Sequence, residues 1–257
     1  MATNHNKFII ERFLRDYNAE KGCAYFVAEW PDDNDRTDKA IDALAKEGDD
    51  RLAIEHTILQ PFIDEKKDTS IFLRTVGTLD KATHLKMPGF SVTLSFEVGA
   101  VPNGTDWSKV AQAVEQWYLA NQQAIPTGQS KHVIPELPFQ LAVAVSKSAL
   151  NSREGFFFVG RVKPTKKQLV DTVEQALNTK IEKLTAACAE KRILLLEKDV
   201  PIYGNGEVGE ILKKLLPQFP KLSQVEEVWV IDTVAFENEN YVAIDLVWPF
   251  TSKNKNG

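Results

Sequence analysis

The stretch Ala40–Thr57, AIDALAKEGDDRLAIEHT, decides how the rest of the chain is read. Its centre, Glu47-Gly48-Asp49-Asp50, is a turn signal built from residues that tolerate tight backbone geometry. Leu52–Ile58 after it is a strand, closed off by Pro61. The segment before the turn supports two readings. Thr37–Lys46 is alanine-rich, which favours helix, while Ala40–Leu44 serves equally as a short buried strand. In the strand reading, a hairpin centred between Gly48 and Asp49 pairs residues whose numbers sum to 97, so Asp42 lies opposite Glu55. Directly opposed side chains have Cβ atoms ~4.5–5.5 Å apart, close enough for two carboxylates to share one divalent cation. Alternation places Glu55 and Thr57 on one face and His56 on the other. In the helix reading Asp42 is a solvated helix residue and the pair does not form.

Like charges opposed across two strands destabilise unless something compensates them. A divalent cation reverses the sign. Mg²⁺ takes one or two carboxylates and keeps several waters, leaving room for a phosphate oxygen. It polarises that phosphate and lowers the pKa of a coordinated water.

Outward from the hairpin, Phe8–Tyr17 is a first helix with Phe8, Ile9, Phe13 and Tyr17 at helical spacing. Cys23–Trp30 follows as a strand and Pro31–Asp35 as a polar turn. Downstream, Phe90–Phe96 alternates as a half-buried strand, and Asp106 caps a helix over Trp107–Gln122. Phe139–Val145 and Phe156–Val162 are further strands. Pro164-Thr165 opens the longest helix, to Lys191, with Leu169, Val173, Ala176, Leu177, Ile181, Leu184 and Cys188 as its apolar stripe. Arg192–Lys198 is a buried strand and Gly206–Leu216 a helix. Val228–Asp232 and Tyr241–Val247 form a closing hairpin across Glu237–Asn240, and Ser252–Gly257 is a polar tail. The expected fold is an α/β mixed sheet flanked by helices, with residues 1–75 and 164–257 as the core and an α+β insertion over 76–163.

Composition narrows the class. A chain of 257 residues with 43% hydrophobic and 26% charged residues buries a core without staples. No run approaches the ~18–20 apolar residues of a membrane span, and Met1–Lys7 lacks a signal-peptide pattern. Cys23 and Cys188 are too few for a disulfide framework or a cysteine zinc site. Both are expected in packed segments, in a reducing cytoplasm. The net charge of −5 argues against a protein that coats nucleic acid, though not against a local basic groove.

Pro31-Asp32, followed after 22 residues by Glu55-His56-Thr57, resembles the PD-(D/E)XK, or restriction-endonuclease-like, nuclease superfamily. That resemblance implies a core running helix, strands, helix, strand. It implies an acidic residue on one strand and an acidic-x-lysine triplet on the next. Glu11 matches the helix-borne glutamate of many members, and either Asp32 or Asp42 is the first acidic ligand. Metal ligation by Asp42, Glu55, Asp32 and Glu11, with Mg²⁺ or Mn²⁺, follows from the resemblance. Thr57 stands where the family has lysine, and a hydroxyl cannot supply that charge. Lys39, Lys66 or Lys67 would have to replace it, with Lys66 the catalytic choice beside Glu55 and Thr57. The function implied is a metal-dependent nuclease or phosphodiesterase acting on nucleic acid. The alternatives are a silent nuclease-like fold, or an unrelated α/β protein, that binds nucleic acid or a protein partner.

Other features carry less. His56 is a supporting or packing residue, and His5, His84 and His132 lack ligand spacing. Gln60–Asp68 is a charged loop; Arg161, Lys163, Lys166 and Lys167 are a basic cluster suited to a phosphate backbone or simply an exposed helix start. Gly204–Gly209 lacks the ending of a phosphate loop and is a helix entry. No nucleophile elbow, zinc-protease helix or kinase signature is present. Trp229 and Trp248 sit in apolar runs as core residues, or one of them serves as an exposed stacking surface.

Overall fold

The computed structural model describes residues 4–34, 40–151, 153–234 and 243–249. The chain divides into two compact units, one of Met1–Ile63 with Lys166–Gly257 and one of Asp64–Thr165. From the N-terminus come α1 (Asn4–Lys21), β1 (Phe26–Glu29), a helical turn α2 (Pro31–Asn34), β2 (Ala43–Glu47) and β3 (Asp50–Ile58). The inserted unit contributes α3 (Glu65–Arg74), β4 (Phe90–Phe96), α4 (Trp107–Asn121), β5 (Gly128–Ile134), β6 (Leu141–Ala149) and β7 (Phe156–Arg161). The first unit resumes with α5 (Lys166–Ala186), β8 (Lys191–Lys198), α6 (Asn205–Leu215), β9 (Glu227–Asp232) and β10 (Ala243–Trp248).

In the first unit a six-stranded sheet runs β1-β2-β3-β8-β9-β10. Strands β3, β8 and β9 are parallel; β2 and β10 lie antiparallel to their neighbours. The parallel strands are apolar on both faces, as helices on both sides require. Ile193 and Leu195 of β8 meet Ile9, Ile10, Phe13 and Leu14 of α1. Leu194 and Leu196 meet Leu169, Val173, Leu177 and Ile181 of α5 and Ile211 and Leu212 of α6. The result is a helix–sheet–helix sandwich in which odd and even residues of β3, β8 and β9 belong to different cores.

In the second unit a four-stranded sheet runs β5-β6-β4-β7. Val110, Val114 and Tyr118 of α4 are fully buried in a core with Val92, Leu94 and Val145. Asp106 caps α4 by accepting from the backbone N–H of Ser108 at 3.2 Å and of Lys109 at 3.3 Å.

Several local expectations change. The ambiguous segment before the turn is a strand from Ala43. The charged loop over Gln60–Asp68 gives way to helix α3, which buries no residue. The long helix ends at Ala186, and Lys191 already belongs to β8. Cys188 is exposed rather than packed in the stripe, because the helix stops before it. Strand β5 had no counterpart in the sequence reading. The turn Glu237–Asn240 and the tail lie outside the described residues.

Candidate functional site

Gly48 takes φ 59°, a left-handed value that costs glycine little, and this closes the β2–β3 turn. The register then runs from Glu47↔Asp50 to Ala43↔Ile54. One position further, Asp42 meets Glu55. The Asp42 backbone N–H donates to Glu55 Oε2 at 3.1 Å, and the His56 N–H donates to Asp42 Oδ2 at 2.7 Å. Asp42 is 6% exposed and Glu55 fully buried.

Two lysines of α5 reach this pair from the side. Lys180 Nζ donates to Glu55 Oε1 in a very short contact, and Lys183 Nζ lies 3.7 Å from the same oxygen. Burial pushes the Glu55 carboxyl up, and the Asp42 charge pushes it further. Lys180 and Lys183 pull it back, and the balance sits at about 7. A buried carboxylate without such partners would cost several kcal/mol. Asp42 Oδ1 accepts no hydrogen bond among the described residues. The arrangement therefore holds two carboxylates, one with a spare oxygen, against two ammonium groups.

No protein-family model, curated protein or solved structure matches the chain. What the site does must come from its own chemistry.

The expected residues fall in different places. Glu55 and Asp42 come together. Thr57 shares the Glu55 face of β3 and is half-buried. Asp32 sits in α2, and Glu11 is exposed on α1, which packs on the opposite face of the sheet. Lys66 and Lys67 are exposed on α3, in the inserted unit, and Lys39 lies outside the described residues. Glu55's partners are Asp42, Lys180 and Lys183 alone among the described residues. No group of three or more His, Cys, Asp or Glu side chains suited to a metal occurs among the described residues. The acidic set at this site is a pair.

Sequence reading missed Lys180 and Lys183. Their signal was a lysine at position 180 inside the apolar stripe, three residues after Leu177 and four before Leu184. A charge there must find a buried partner.

A second polar group lies on the other face. Glu197, fully buried on β8, accepts from His56 Nε2 at 2.9 Å, His5 Nε2 at 2.9 Å and Thr233 Oγ1 at 2.6 Å. Burial alone would raise its pKa, but the hydrogen bonds from His56 and Thr233, the His56 charge and His5 outweigh that and hold it at about 2. An ionised carboxylate only accepts, so each imidazole Nε2 carries a hydrogen toward it. His56 Nδ1 is buried with no hydrogen-bond partner among the described residues. His56 thus ties the two groups together: its backbone serves Asp42, its ring Glu197.

Proposed function

We propose that the chain is a divalent-metal-dependent phosphodiesterase of the nuclease type, with Asp42 and Glu55 as the metal carboxylates and a helix-borne lysine in the place of the motif lysine. The observation that carries this reading is Lys180 against Glu55. The motif triplet offers Thr57 where a cation is needed, and α5 brings two cations to the same carboxylate. The element order also supports a restriction-endonuclease-like core: α1, then β1, β2 and β3, then α5 and β8.

The donor set fits Mg²⁺ or Mn²⁺, which need only one or two carboxylates when water and substrate oxygens complete the shell. Bound there, the ion would supply Lewis-acid polarisation of a phosphate and a more acidic water. The chain's own residues do the rest. Asp42 and Glu55 would hold the ion, and the backbone N–H groups of His56 and Asp42, donating to Asp42 Oδ2 and Glu55 Oε2, fix the two carboxylates in place. Lys180, which pairs with Glu55 here, would supply the ammonium that the developing negative charge on a phosphate needs. A nucleic acid is the substrate this chemistry suits.

The test is hydrolysis of single-stranded DNA, duplex DNA and RNA with Mg²⁺ or Mn²⁺, alongside calorimetric titration of the metal. Metal-dependent cleavage is expected, absent in Glu55→Gln and Asp42→Asn and reduced roughly 100-fold in Lys180→Ala. The proposal is overturned if the wild type shows neither cleavage nor metal binding.

One observation favours a second reading. Both Glu55 oxygens are engaged and its side chain is wholly enclosed, as in a buried ion pair that only holds α5 to the sheet. On that reading the chain is a silent α/β protein that binds nucleic acid or a protein partner. Nucleic-acid binding without metal uptake, unchanged in Glu55→Gln, would single it out.

A further inference from the structure

We propose that the groove between α5 and α6 is a binding site for a nucleoside monophosphate, independent of the Glu55 site. The groove has a volume of about 410 Å³, within the range of small-molecule pockets. Its floor is aliphatic: Val170 from α5, with Ile211 and Leu215 from α6. Around it stand Lys166, Lys167 and Lys214, all exposed, none with an ion-pair partner among the described residues. Asp42, Lys180 and Lys183, the partners of Glu55, do not line it.

Charge sets the head group. Three ammonium groups against the one Glu210 carboxylate leave an excess of positive charge in the groove, which suits a dianion better than a carboxylate. A phosphate monoester carries about −1.5 to −2 near pH 7 and offers three strong acceptor oxygens. Volume sets the body. A phosphate alone fills a fraction of the space and leaves the aliphatic floor wet, whereas a base and sugar cover it. Glu210 chooses between bodies. This carboxylate lines the groove, and its ion pair with Lys213 at 3.1 Å is exposed on both sides, a weak tie. It accepts hydrogen bonds from ribose hydroxyls, but an alkyl phosphate or fatty acid has no donor to offer and meets only its negative charge.

Calorimetric titration of the full chain with AMP, hexyl phosphate and inorganic phosphate tests the site. AMP is expected to bind, and to bind more tightly than either comparator. Lys167→Glu and Lys214→Glu should each weaken AMP by roughly tenfold or more, the effect of losing a charge-assisted contact. Lys221→Glu, an exposed lysine outside the groove, changes net charge equally and should leave AMP nearly unaffected. Glu210→Ala should weaken AMP and tighten hexyl phosphate. The proposal is overturned if AMP gives no binding at millimolar concentration. It is overturned equally if hexyl phosphate or inorganic phosphate binds as tightly, or if the groove variants behave like Lys221→Glu.

Discussion

A carboxylate with no solvent exposure depends on its surroundings for its charge, and the two such carboxylates among the described residues of the first unit end on opposite sides of the ordinary value. Glu55 is raised from 4.5 to about 7, first by burial and then by Asp42. The folded state thus binds its proton more tightly than the unfolded chain does. Between pH 4.5 and 7 the unfolded chain has lost that proton while the folded state still holds it, so stability falls as pH rises through that window. The full shift corresponds to at most about 3 kcal/mol. Glu197, lowered from 4.5 to about 2, works the other way: its contribution is present above pH 4.5 and is lost as pH falls toward 2. Over pH 5 to 8 Glu197 therefore adds no slope. Urea unfolding should show a midpoint that decreases from pH 5 to pH 8, and Glu55→Gln should flatten that decrease. A wild-type midpoint that rises over this interval contradicts the assignment. Of these residues, Glu55 and its partner across the turn were legible, because hairpin pairing is local arithmetic. Lys180 lies 125 positions from Glu55 and His5 lies 192 from Glu197. Periodicity along the chain can mark a lysine that needs a partner, as at Lys180, but it does not say which residue at that span the partner is.

At the level of the element, the β2–β3 hairpin delivers the site, and its register hangs on one glycine. A slip of one residue would turn Glu55 from the α5 face to the α1 face and His56 the other way. Gly48 has open space where a Cβ would stand, so a substitution there meets no clash and costs only backbone strain. With φ at 59°, Gly48→Ala should destabilise by about 1–2 kcal/mol, seen as a lower thermal midpoint. No loss would mean that the turn is not what sets the register. Hydrophobic alternation and caps made most elements readable: β4, α4 with its Asp106 cap, β8 and β9 needed nothing beyond their own sequence. Elements that bury little were not readable. Strand β5 buries only Ile134 among its seven residues, and α3 buries none, so neither presents an apolar period. The segment before Gly48 was undecided because alanine suits both helix and strand. Pairing with Leu52–Ile54 decided it, and pairing is not a property of the segment itself.

For the whole molecule, the division into two units explains why sheet neighbours β3 and β8 are so distant in sequence. Their parallel register, from Leu52↔Lys191 to Ile58↔Glu197, closes a loop that contains the entire inserted unit. Loop-closure entropy grows only slowly with length, so the core accepts the insertion at small cost. The sequence reading set the insertion at 76–163, whereas the compact unit is Asp64–Thr165, because α3 has no apolar stripe to mark where it begins. Each hydrophobic cluster draws on one unit alone: Val76 to Phe157 form one core, and the cores around α1 and around α5 and α6 contain no residue of the insertion. Cores that share no side chains can open separately, so the two units need not lose protection together. Leu94 is fully buried in the inserted unit's core, and truncating such a leucine costs about 2–5 kcal/mol. Leu94→Ala should therefore speed amide hydrogen exchange across β4, β6 and α4 while leaving protection of β3 and β8 as it was. Equal loss of protection in both units would show that they unfold together, and that the insertion contributes to holding the Glu55 site in shape.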